Sequence, residues 1–154
     1  MNTQLTNQQA FDAALFGIRK QGYTRSVDDR TLVCMYRHPK DSSIRCAAGH
    51  IIPDDVYDPL VENSTIRQIL GDNLCEELDT HAPPRNLPIT GWLRRQVKGG
   101  LNIRLLSELQ HAHDETLDAS DTENRFSRGI DAFEAEMARI AREYNLHYTE
   151  GSAT

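Results

Sequence analysis

The pairs Cys34-x-x-x-His38 and Cys46-x-x-x-His50 combine thiols and imidazoles, the donor types that zinc takes. If residues 34 to 38 run as a strand rising about 3.3 Å per residue, Cys34 and His38 stand ~13 Å apart and cannot share an ion. Cys46 and His50 approach each other on a helical turn, so these two residues are the alternative metal pair. The preferred reading is no cofactor and no metal, with Cys34, Cys46 and Cys75 as reduced, mostly buried thiols.

A second cluster, His111-Ala-His113-Asp114, has the residue types of a general base with an orienting carboxylate, or of a metal-dependent hydrolase. On a helix, positions 111 and 113 point about 200° apart and do not converge on one metal. His111 and Asp114 pair at the i, i+3 spacing, and His113 shares a face with Leu105, Leu106 and Leu109, which makes it a core-facing histidine. His111, His113 and Asp114 are therefore the alternative catalytic set, and the preferred reading assigns no catalytic residue. The acids Asp54, Asp55, Asp58 and Glu62 lack the glycine and ligand spacing of a calcium loop and are read as turn and helix-start residues. No glycine-rich phosphate cradle, activated-serine motif or Cys-x-x-Cys pair occurs.

The net charge of -6 and pI near 5.5 oppose nonspecific nucleic-acid binding over the whole surface. Locally, Arg85, Arg94, Arg95, Lys98 and Arg104 follow one another with no acid between Asp79 and Glu108. Trp92, Arg94, Arg95 and Lys98 are thus the candidate binding residues, with a solvated helix face as the simpler account.

These groups must be positioned by a chain of 154 residues, the length of one domain. Thr6 caps a first helix whose Phe11, Ala14, Leu15 and Ile18 recur at helical spacing, with Gly22 as its left-handed stop. The β-branched and aromatic stretch 31–37 predicts a strand, residues 38–43 a turn, and 44–46 a short return strand. Residues 46–52 allow only a brief helix, because Pro53 biases Ile52 away from helical geometry. Ser64 is a candidate cap for a short helix ending at Gly71, residues 72–79 form another short helix, and residues 80–88 form a proline-rich loop. A helical turn surrounds Trp92, a helix runs from Leu101 to Asp114, and a longer one follows Ser120. In that last helix Phe126, Ile130, Phe133, Met137, Ile140 and Tyr144 alternate spacings of four and three.

The expected fold class is α+β: a mainly helical single domain over residues 1–147 with one small antiparallel β-hairpin, followed by a flexible tail at 148–154. The apolar stripe of the last helix is compatible with a monomer or a homodimer. No segment is apolar enough to span a membrane, and the polar start lacks a signal sequence, so a cytoplasmic protein is expected.

The segments Cys34-Met-Tyr-Arg37, Arg45-Cys-Ala-Ala-Gly-His-Ile-Ile-Pro-Asp54 with Asp55 to Asp58, and Leu109-Gln-His-Ala-His-Asp114 resemble a group of small proteins from tailed phages and prophages. The most specific part is Cys-Ala-x-Gly-x-x-Ile-Pro-Asp. The resemblance covers roughly residues 8 to 146. It implies a phage-derived protein of the bacterial host cytoplasm and carries over no activity, cofactor or catalytic residue. The functional expectation is an accessory protein that binds a host or phage macromolecule, with a protein partner favoured, and acts by steric occupation of its surface. The alternatives are a metal-dependent hydrolase using the His/Asp cluster and a nucleic-acid-binding module using the Trp92 region.

Overall fold

The computed structural model describes residues 3–31, 33–71, 83–117 and 123–151, with the backbone alone for 123–127. Helix α1, Asn7–Lys20, begins in a capping box: the Thr6 hydroxyl accepts from the Gln9 N–H, and the Gln9 side chain accepts from the Thr6 N–H. It buries Ala10, Phe11, Ala14, Leu15 and Ile18, the spacing expected of one apolar face. Gly22 follows at φ +67°, where a side chain would be strained.

The short α2, Ala47–Ile51, packs across α1 and against α5, Ile103–Thr116. After a 3₁₀ turn at Pro59–Val61 comes α3, Ile66–Leu70, capped by Thr65 in a second capping box with Gln68, one residue beyond the Ser64 expected from sequence. Gly71 ends α3 in the left-handed region. Helix α4, Pro88–Lys98, is longer than the single turn anticipated around Trp92, because Pro88 initiates it at the first helical position. Helix α6, Glu123–Glu143, lies along α5 and buries Phe133, Met137 and Ile140. The expected helix at 72–79 and Cys75 lie outside the described residues, as does the start of the loop, 80–82.

The expectation of an α+β fold is corrected: no strand forms among the described residues, and the chain is mainly helical. In place of the hairpin there is one isolated antiparallel bridge, Val27 to Cys34. The physical reason is visible in the donors that a ladder would need. The N–H groups of Tyr36 and Arg37 both donate to the Glu62 carboxylate, at 2.8 and 3.0 Å, and the Arg45 N–H donates to Gln21 Oε1 at 3.0 Å. Only His38 N–H to Ile44 O, at 2.9 Å, spans the predicted turn. Side chains from distant segments have replaced strand pairing, and β propensity in residues 31–37 is overridden by tertiary contacts.

Two polar knots fasten the helices. Glu134 on α6 accepts from Arg19 at two nitrogens and from the hydroxyls of Tyr23 and Tyr148. Thr149 O also accepts from Arg19, so residues up to 149 lie against α1 and α6. Between α5 and α6, Glu108 accepts from Arg104, Arg139 and Tyr144.

Burial pushes the Glu134 carboxyl upward, but Arg19, Tyr148 and Tyr23 outweigh it and hold it below the ordinary glutamate value. A lowered carboxylate contributes stability that is present above its unfolded value and lost as pH falls through its folded value. We therefore expect thermal stability to decline as pH falls below about 4.5, with Glu134→Gln less stable at neutral pH and flatter in this acid range, measured by melting curves from pH 7 to 3. Gly49 supports a second expectation, since a Cβ there would overlap the Tyr36 carbonyl oxygen. Gly49→Ala should cost about 1–3 kcal/mol in urea unfolding through forced displacement of that segment.

Candidate metal centre

The motif Cys-Ala-x-Gly-x-x-Ile-Pro-Asp is first of all a backbone device built around Arg37. The Arg37 guanidinium, nearly inaccessible to solvent, donates to the carbonyls of Gly49 and Ile52 and to Asp54 Oδ1. Its plane lies over the Tyr57 ring, 4.8 Å from the centroid. These bonds satisfy carbonyls at the end of α2 that the short helix leaves open. Asp54 is shared with Arg45, Asp58 caps the 3₁₀ turn through the Leu60 N–H, and Glu62 binds the Tyr36 and Arg37 backbone and the Tyr57 hydroxyl. Three of the four acids read as turn and start residues thus have defined backbone or ion-pair roles.

This device sets Cys34 and Cys46 against α5. The Cys46 sulfur accepts the Gly49 N–H at 3.3 Å, taking the N-cap position of α2. Oxygen-bearing side chains are the preferred residues for that role, so capping alone does not call for a cysteine. Cys34 lies beside Cys46, and its thiol is held upward, first by the Cys46 sulfur and then by burial. Opposite them, His113 is completely buried, with Nδ1 3.8 Å from Cys34 Sγ and 3.1 Å from Asp114 Oδ1. One donor atom from each of Cys34, His113 and Asp114 falls within 4.8 Å of the other two.

Two chemistries use these residue types. In a nucleophilic triad the imidazole would take the thiol proton on one nitrogen and be oriented by the carboxylate on the other. Here both Cys34 and Asp114 address Nδ1, and the thiol proton is favoured rather than lost. Nε2 is buried without a hydrogen-bond partner among the described residues. A thiol-nucleophile triad is not assembled.

A metal centre fits the geometry. Zinc bonds to sulfur, imidazole nitrogen and carboxylate oxygen give tetrahedral edges of about 3.6 Å for S···N and about 3.3 Å for N···O. The observed separations are 3.8 and 3.1 Å. The donor set mixes thiol, imidazole and carboxylate, which suits zinc better than the hard cations calcium or magnesium. An ion on Nδ1 would leave the imidazole proton on Nε2.

The sequence candidates divide accordingly. His113 and Asp114 are brought together with Cys34, whereas His111 points to solvent and pairs with Glu115 at 3.1 Å. Cys46 lies beside Cys34 but outside the set of three converging donors, and His50 turns away, its Nε2 meeting Gln21 Oε1 at 2.8 Å. His38 turns to the Lys40 N–H. The pairing of Cys34 with His113, 79 residues apart, had no local sequence signal. Trp92 is 2% exposed in the core, so it offers no stacking face, while Arg94, Arg95 and Lys98 are exposed on α4.

Comparison with protein-family models, with curated proteins and with solved structures finds no match. Within the described residues no helix is long and apolar enough to cross a membrane.

The burial of Trp92 predicts blue-shifted tryptophan emission that single-stranded DNA does not quench at low salt. Quenching that saturates and disappears in Arg94→Gln/Arg95→Gln would instead support the nucleic-acid reading.

Proposed function

We propose that the protein is a zinc-binding protein in which Cys34, His113 and Asp114 hold the ion. The observation that carries this reading is the convergence of the three donor atoms within 4.8 Å. Three protein ligands leave the fourth tetrahedral position of the ion to a further donor. Such an ion would fasten the poorly regular segment around Cys34, which has only one β-bridge among the described residues, to α5.

The hydrolase alternative built on His111, His113 and Asp114 draws less support, because His111 lies on the exposed side of α5. Steric binding of a macromolecular partner through acidic charge also has less to draw on. Asp29, Asp54, Glu108, Glu134, Glu136 and Glu143 are each engaged by a basic side chain, which neutralises much of the surface that would imitate phosphate.

Elemental analysis of protein refolded with equimolar zinc and then dialysed tests the reading. One zinc per chain is expected, with a melting temperature above that of the chelated protein, because a ligand bound only by the folded state stabilises it. Asp114→Asn and Cys34→Ser should each lose most of the zinc at the same dialysis conditions. Zinc-free unmodified protein after this treatment, or full occupancy in Cys34→Ser, would contradict the assignment.

A further inference from the structure

Between α1 and α2, a groove of about 330 Å³ is lined by Gly17, Lys20, Gln21, Ser43, Arg45 and His50. Its volume falls at the small end of the range of ligand pockets. Gly17 explains how the groove exists. A glycine inside a helix is destabilising relative to alanine, but any Cβ at position 17 would overlap the His50 ring, which lies directly on the α1 backbone.

The hydrogen bonds around Gln21 fix the state of His50. Gln21 Nε2 donates to the carbonyls of Thr24 and Arg45, at 2.7 and 2.8 Å, so its amide oxygen must face the other way. That oxygen accepts the Arg45 N–H and meets His50 Nε2, which therefore carries the imidazole proton. Burial, followed by the charges of Arg45 and Arg37, pushes His50 down to about 4, so the ring is neutral at pH 7. Its Nδ1 is left as an acceptor, with no partner among the described residues and not sealed from solvent.

The charge around the groove is positive. Arg37 and Arg45 share the single carboxylate of Asp54, and the Lys20 ammonium has no ion-pair partner among the described residues. Arg45 uses Nε on Ser42 O and Nη2 on Asp54, leaving Nη1 uncommitted. Among the lining residues Ser43 is tied to an acid, its hydroxyl donating to Asp41. Lys20 also complements the C-terminal end of the α1 dipole, but that role does not require Arg45 to face it.

We propose that this groove binds a small phosphate ester bearing a hydroxyl group, its phosphate held between Lys20 and Arg45 and its hydroxyl donating to His50 Nδ1. Neither feature alone selects this class: the two cations recognise any small anion, whereas the neutral imidazole acceptor requires a donor on the same ligand. The site is independent of the zinc centre.

Calorimetric titration with ribose 5-phosphate, inorganic phosphate and ribose tests the inference. Saturable binding of ribose 5-phosphate is expected, tighter than that of inorganic phosphate, with none for ribose. Lys20→Gln should weaken the ester by about tenfold, the effect of one charge-assisted hydrogen bond, with an unchanged melting temperature because Lys20 is exposed. Arg45→Gln should weaken it at least as much. Absence of saturation at millimolar ribose 5-phosphate, or equal affinity in Lys20→Gln, would overturn the site. Inorganic phosphate binding as tightly as the ester would overturn the role given to His50.

Discussion

The buried guanidinium of Arg37 is the constraint on which the arrangement of the first half of the chain depends. A charge removed from water must be surrounded by acceptors, and Arg37 finds them in two α2 carbonyls, Asp54 and the face of Tyr57. Those partners come from one short stretch, so satisfying one side chain folds residues 46–57 into a fixed hook. Glu62 then closes the other side by accepting both N–H groups that flank Arg37's own peptide. The hook places Cys46 at the start of α2 and Cys34 beside it, with Cys34 against His113 on α5.

The motif that stood out in the sequence therefore has a double character. Most of its residues are architectural: Gly49 because the Tyr36 carbonyl leaves no room for a Cβ, Pro53 because α2 must stop, and Asp54 because two arginines need it. Cys46 is the exception, since an oxygen-bearing residue would cap α2 at least as well. Its sulfur lies beside Cys34, the thiol that meets a buried imidazole with an adjacent carboxylate. From α2, His50 also closes a groove against Gly17.

The helices were legible in the sequence where a single face carries the signal. Phe11, Ala14, Leu15 and Ile18 identify α1, and Leu105, Leu106, Leu109 and His113 identify the buried face of α5, down to the histidine facing the core. The hairpin was not legible as absent, because Thr31 to Arg37 has strand composition and the groups that divert its donors, Glu62 and Gln21, lie far along the chain. Trp92 shows a related limit: neighbouring arginines suggest a surface, whereas residues 88–98 form a full helix that turns the indole inward. At the candidate centre, local spacing offers Cys46 with His50 as a metal pair, since a strand would set Cys34 and His38 too far apart. In the structure His50 meets Gln21, His38 meets the Lys40 N–H, and Cys34 meets a histidine of α5.

The zinc reading places one thiolate, one imidazole and one carboxylate around a single ion. X-ray absorption at the zinc edge on the stoichiometric zinc complex probes that shell directly. One sulfur at about 2.3 Å with nitrogen or oxygen neighbours at about 2.0–2.1 Å is expected. A shell of oxygen and nitrogen alone would show that the ion sits elsewhere and would contradict the centre.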